Sequence, residues 1–270
     1  MEYNKETKTL TISCDFNEEL KNILEETKII IFKKNFYFNQ KLINLPKNLT
    51  HLTFSDKFNK KIVNLPKNLT HLTFGFYFNQ KIDIFPKNLT HLTFDNKFNQ
   101  KIDNLPKNLT HLFFGFDFNQ KLNNLPKNLT HLIFGDKFNQ KIDNLPKNLT
   151  HLFFGFDFNQ KLNNLPKNLK YLKIRNKFKN EIIFPKNLKK LSLNSYNNLI
   201  NNIPKHIEKI YICFKYLHIK KIDNNNYYTI INNKIDNLPL TIKKIVIEDE
   251  EYKNHIKIPF GCILTIKKIE

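Results

Sequence analysis

The eleven prolines of this 270-residue chain fall in one recurring slot, at Pro46, Pro66, Pro86, Pro106, Pro126, Pro146, Pro166, Pro185, Pro204, Pro239 and Pro259. Successive spacings are 20 residues six times over, then 19, 19, 35 and 20. A period this short holds one small supersecondary unit per copy. Such a unit cannot bury its apolar face alone and must stack on its neighbours. The chain is therefore read as a single solenoid, with long stacked faces available for binding.

The copies from His51 to Lys170 read His-Leu-x-Phe-x-x-x-Phe-Asn-x-Lys-Ile/Leu-x-x-Leu/Phe-Pro-Lys-Asn-Leu-Thr/Lys. Leu49-x-x-Leu52-x-Phe54 has the leucine-rich spacing, and its end alternates apolar and polar as a short parallel strand requires. With a strand of about five residues, the remaining fifteen or so cannot hold a helix of roughly ten plus two connections, so an extended or 3₁₀ return path is predicted. Phe58, Ile62 and Leu65 complete the apolar set of each turn. Proline suits a corner because it fixes φ and lacks an N–H. Asn48 and its copies through Asn187 are expected to satisfy backbone groups at that corner, and Asn59 and its copies to form a second such ladder.

Phe-Asn-Gln-Lys-Ile, Leu-Pro-Lys-Asn-Leu-Thr-His-Leu-Thr-Phe and the short period together resemble the FNIP repeat, a relative of the leucine-rich repeat found in social amoebae and in giant DNA viruses of amoebae. The resemblance covers residues 29 to about 193. It implies a mostly β, leucine-rich-repeat-like parallel solenoid. One departure runs throughout: the family often has proline after Phe-Asn-x, where this chain has lysine, from Lys41 to Lys161. Several family members carry an N-terminal F-box, which implies a substrate receptor of ubiquitin ligases, but no such segment is evident in residues 1–28.

Three regions follow: an N-terminal cap over 1–28, regular repeats over 29–193, and degenerate repeats with a C-terminal cap over 194–270. In the first, Leu10, Ile12, Cys14 and Phe16 alternate as a strand, and Asp15 or Asn17 is placed to cap a short helix bearing Leu20, Ile23 and Leu24. The 35-residue interval between Pro204 and Pro239 is read as one turn without its proline plus an insertion around Asn224, Asn225 and Asn226.

The formal net charge is +20, yet residues 1–28 hold seven acids against four lysines. Arg175 is the sole arginine, and lysines such as Lys47, Lys67, Lys87 and Lys107 recur as ladders on the convex side. Nucleic-acid or anionic-surface binding through these ladders is an alternative to protein binding, although the arginine fork and the nucleic-acid motifs are missing. The polar start and the lack of a long apolar run point to a protein without signal peptide or membrane span. Three well-separated cysteines, and six stacked Asn-Leu-Thr sequons that could not all carry glycans, favour the cytoplasm, the host's if the chain is viral. No serine triad, phosphate loop or metal-ligand spacing is present, so no catalysis, metal or cofactor is expected.

His51, His71, His91, His111, His131 and His151 share one outward strand position and are predicted to stack in a column, where neighbouring charges would disfavour protonation. Beside them, Thr53, Thr73 and Thr93 give way to Phe113, Ile133 and Phe153, an apolar strip of the kind that marks an interaction site. Phe36, Phe76, Phe116 and Phe156 recur every 40 residues, alternating with Asp56, Asn96, Asp136 and Asn176, which matches both tandem copying of a two-turn unit and selected binding. The predicted function is non-catalytic docking of an unidentified protein partner by a monomer, through the concave sheet at His111, Phe113, His131, Ile133, His151, Phe153, Phe116 and Phe156.

Overall fold

The computed structural model describes residues 1–13, 17–33, 37–175, 178–194, 198–213, 219–221, 227–229, 235–247 and 249–267. Strand β1 (Glu2–Asn4) pairs antiparallel with β2 (Thr9–Ile12), and β3 (Ile29–Phe32) begins the regular array. The repeats supply β4 (His51–Thr53), β5 (His71–Thr73), β6 (His91–Thr93), β7 (His111–Phe113), β8 (His131–Ile133), β9 (His151–Phe153) and β10 (Tyr171–Lys173). They are followed by β11 (Lys190–Asn194), β12 (Lys209–Cys213), a hairpin of β13 (Ile219–Lys221) and β14 (Tyr227–Thr229), then β15 (Lys244–Ile247) and β16 (Ile263–Ile266). Apart from the hairpin, all join one 14-stranded sheet in chain order, parallel from β2 onward. Thus the parallel solenoid expected from the proline period is the fold.

Each repeat strand is three residues long rather than five. Pairing nonetheless extends past it, as in the Phe54 N–H donating to the Thr73 carbonyl at 2.9 Å. The return path is extended between two tight turns, one closed by Phe58 N–H on the Ser55 carbonyl (3.3 Å) and one by Leu49 N–H on the Pro46 carbonyl (3.1 Å). Proline stands at the buried start of that second turn, where its missing N–H costs nothing.

The core is a stack of identical layers. Leu49, Leu52, Phe54 and Phe58 and their copies are at most 4% exposed, and rings in the two phenylalanine columns stack both within and between turns, for example Phe114 with Phe118 at 3.7 Å and Phe118 with Phe138 at 6.0 Å. A fully buried phenylalanine contributes about 1.5–3 kcal/mol relative to an exposed one, so two per turn give every layer a large common term.

Both asparagine ladders form between turns, but with opposite polarity. Along one, Asn59, Asn79, Asn99, Asn119 and Asn139 each offer Oδ1 to the N–H of the asparagine one turn later, at 2.9 Å. Along the other, Asn68, Asn88, Asn108, Asn128 and Asn148 each donate Nδ2 to the lysine carbonyl one turn earlier, at 3.0–3.2 Å. The amide nitrogen that a glycan would take in these Asn-Leu-Thr sequons is thus occupied by a backbone bond.

Two expectations are corrected. No helix forms over 17–27; the leader contains a full 20-residue turn from β2 to β3, with Leu20 buried on the return path and Leu24 exposed. A return path must cross the width of the core, and extended chain does so at about twice the rise per residue of a helix. The 35-residue interval holds no extra turn: β12 pairs directly with β15, and the added length makes the β13–β14 hairpin outside the sheet. Cys14, Asp15, Phe16, Phe36, Asn176 and Asn224–Asn226 lie outside the described residues.

Candidate docking face

Six imidazoles form a continuous column on the sheet. Rings from His51 to His151 stack at 4.1–4.2 Å with planes within 13°. The spacing comes from the strand register, which pairs each histidine with the next. The ring orientation comes from the preceding threonine: Thr70 Oγ1 lies 3.1 Å from the Thr50 carbonyl and 2.9 Å from His71 Nδ1, which ties the ring through Nδ1 to the strand before it. The same pair recurs at Thr90–His91, Thr110–His111, Thr130–His131 and Thr150–His151. Every ring is therefore held at Nδ1 by a threonine hydroxyl.

Burial lowers the pKa of each of these histidines, and neighbouring rings lower most of them further; His71 and His111 are brought to about 4 from 6.5. At neutral pH the column is uncharged. Parallel stacking holds the equivalent nitrogens of adjacent rings alongside one another, not converging on a common ion about 2.0–2.1 Å from both.

The apolar strip lies in register beside the column, with Phe113 opposite Ile133, Ile133 opposite Phe153, and Phe153 opposite Lys173. All three apolar groups are half-buried. Phe113 meets His111 edge-on at 6.0 Å, and Phe153 meets Tyr171 edge-on at 4.6 Å. Burial raises the Tyr171 hydroxyl to a pKa of about 12, with Tyr211 adding to the effect. Phe116, Ile133 and Phe153 also border a cavity of about 320 Å³ whose other walls include Asp136, Lys173 and Arg175. Glycines form its floor, because a Cβ at Gly135 would run into the Gly115 carbonyl.

The 40-residue alternation has a structural cause. Asn96 Oδ1 accepts the Phe116 N–H and Asp136 Oδ1 accepts the Phe156 N–H, both at 3.2 Å, so a polar turn supplies the acceptor for the aromatic turn that follows. One position later, Lys97 and Lys137 clasp Asp117 from either side at 3.0 and 2.7 Å and hold its carboxyl below the usual range. Lys57 sits 4.1 Å from the Tyr77 ring centroid in the same arrangement. Two turns, not one, are the chemical unit. The family model for the FNIP repeat matches residues 38–77, 78–117 and 118–157, three tandem units of that length. These are FNIP repeats.

Comparison with solved structures places the whole solenoid among leucine-rich-repeat proteins. A crystal structure of CroV588, described as a novel circular LRR protein, is 31% identical and superposes over 94% of this chain with a TM-score of 0.64. YopM from Yersinia enterocolitica WA-314 shares the fold at 19% identity and a TM-score of 0.54 over 88% of the chain. The chain spans 45% of CroV588 and 59% of YopM. No match was found among curated proteins. This fold is typical of protein-interaction scaffolds, and no helix among the described residues is long and apolar enough to cross a membrane.

Within the FNIP units, the structure brings seven of the eight residues singled out from sequence into two groups. His111, His131, His151 and Phe113 lie along the column, whereas Phe116, Ile133 and Phe153 meet at the cavity. Phe156 is half-buried and borders neither. Tyr171, Lys173 and Arg175 were missed. They follow the last matched FNIP unit, at positions where Lys170-Tyr171-Leu172-Lys173-Ile174-Arg175 departs from the repeat at every outward residue.

Proposed function

We propose that the chain is a non-catalytic scaffold that docks a protein partner on the open face of its sheet, over β7 to β10. One observation carries this reading: three large apolar side chains, Phe113, Ile133 and Phe153, stand half-exposed in register on adjacent strands, where the preceding FNIP turns place threonine. Their side chains point away from the layered core, so the fold has no use for their bulk. The neutral imidazole column beside them adds a stiff polar wall without a charge to desolvate.

The test compares affinity capture by the wild type and by a Phe113→Thr, Ile133→Thr, Phe153→Thr variant. Threonine is accommodated at this position in β4 to β6, so melting should be nearly unchanged. A partner held by these anchors is lost from the variant, by about 2 kcal/mol or more of binding free energy if they are hot spots. Equal recovery of all partners by both proteins refutes the docking face.

A further inference from the structure

Two columns of side chains run outward along the sheet, and their charge changes abruptly at one point. From β4 to β9 they hold six histidines, three threonines, two phenylalanines and an isoleucine, with no lysine or acid. From β10 to β15 the histidine column continues as Tyr171, Lys190, Lys209 and Lys244, and the apolar column as Lys173, Ser192, Tyr211 and Val246, of which Ser192 and Val246 are buried. Four lysines appear and no carboxylate accompanies them in either column. This is unlike the convex lysines, which recur in every turn. Positive charge on this side reaches the neutral half, since Lys190 of the column and Lys170 just before β10 both oppose protonation of His151. Arg175 adds a guanidinium at the cavity wall, 3.8 Å from Asp136.

We infer that the face takes an extended acidic segment of a protein partner, seating one apolar side chain in the cavity bordered by Phe116, Ile133 and Phe153 and laying carboxylates over Lys173, Arg175 and Lys190. The inference rests on the docking-face reading and adds the partner's chemistry. Phe153 and Lys190 are two strands apart, about 10 Å at one strand spacing each, which an extended peptide covers in about three residues. The segment is therefore an apolar anchor followed by acids from about the third residue on. A single-stranded nucleic acid fits less well. Tyr171 and Tyr211 already stack on each other at 5.6 Å, and Lys209 lies 4.7 Å from the Tyr211 centroid, so these ring faces are engaged. The uncharged half of the face also offers a phosphate chain no counter-charge.

The test uses the full chain and three labelled probes in fluorescence anisotropy: a short peptide with one phenylalanine followed three residues later by a run of glutamates, the same peptide with glutamines, and oligothymidylate. The glutamate peptide should bind about tenfold or more tightly than its glutamine counterpart, and more so as salt is lowered. A Lys173→Gln, Arg175→Gln, Lys190→Gln variant, checked for folding by circular dichroism, should close that gap. Phe113→Thr, Ile133→Thr, Phe153→Thr should weaken both peptides. Equal binding of the two peptides, a gap that survives the glutamine variant, or no peptide binding at all overturns the inference, as does oligothymidylate displacing the glutamate peptide. Equal peptide binding that the threonine variant abolishes leaves the docking face standing; indifference to the threonine variant removes both readings.

Discussion

The opposite polarity of the two asparagine ladders predicts opposite responses to one substitution. Asn119 acts through Oδ1, which accepts the Asn139 N–H at 2.9 Å and Gln140 Nε2 at 3.0 Å. Asn119→Ala leaves that half-buried N–H without a partner, at about 1–3 kcal/mol. At about 2–4 °C per kcal/mol for a chain approaching this size, melting falls by about 2–12 °C. Asn119→Asp keeps an acceptor oxygen in place and strengthens it with charge, against a partial desolvation cost, so its stability should stay within about 0.5 kcal/mol of wild type. Asn128 acts through Nδ2, donating to the Lys107 carbonyl at 3.1 Å. Neither alanine nor aspartate can donate there, so both should lose the one exposed bond, about 0.5–1.5 kcal/mol. Urea titrations followed by circular dichroism on the four variants give the comparison. If Asn119→Asp proves as damaging as Asn119→Ala while Asn128→Asp is silent, the polarity assigned to the ladders is reversed.

Two further outcomes are expected. Folding holds the six imidazoles below their ordinary pKa of 6.5, so the unfolded chain binds more protons between 6.5 and about 4; stability should be full above 6.5 and decline as pH falls through that window, with His71→Gln and His111→Gln flattening the profile in thermal melts. Deleting Thr93–Leu132, two whole turns, should preserve a cooperative melt, and deleting Phe113–Leu132 should preserve the sheet but juxtapose Lys97 with Lys137 after removing Asp117, giving a melt that added salt raises more than in wild type. A register of 20 residues is wrong if the 40-residue deletion unfolds the chain.

The parts of the fold legible in the sequence were those repeated in every copy. His-Leu-x-Phe fixed the strand, its outward histidine and its inward pair, because alternation has only two faces to choose between. Pro-Lys-Asn-Leu fixed the corner. Legibility failed where a segment occurred once. Leu20, Ile23 and Leu24 fit a helical face, but the constraint that the leader must span the same core as its neighbours is not local to those residues. The interval to Pro239 reads as a turn without its proline plus an insertion because chain length does not say whether residues enter a sheet or leave it. At the candidate site, the apolar strip was readable as a departure from threonine, whereas Asp136 was counted only as an interruption between phenylalanines. Its bond to the Phe156 N–H crosses from one turn to the next, and the alternation in spacing does not by itself say that the polar residue serves the aromatic one after it. Lys173 and Arg175 carry no signal in the repeat pattern, because they lie where the copies stop matching.

The threonine and asparagine bonds that tie the repeat turns together run one way, although the asparagine side chain accepts in one ladder and donates in the other. Threonine hydroxyls and both asparagine ladders, in every bond between consecutive repeats, take the donor from the later turn and the acceptor from the earlier one. A turn emerging from the ribosome thus finds the acceptors for these side-chain bonds already fixed in the layer beneath, while a backbone donor such as the Phe54 N–H is met only by the Thr73 carbonyl of the following turn. Synthesis of such an array can proceed as layer-by-layer growth on a finished surface, so that lengthening the chain by further two-turn units adds little time during which apolar layers stand uncovered.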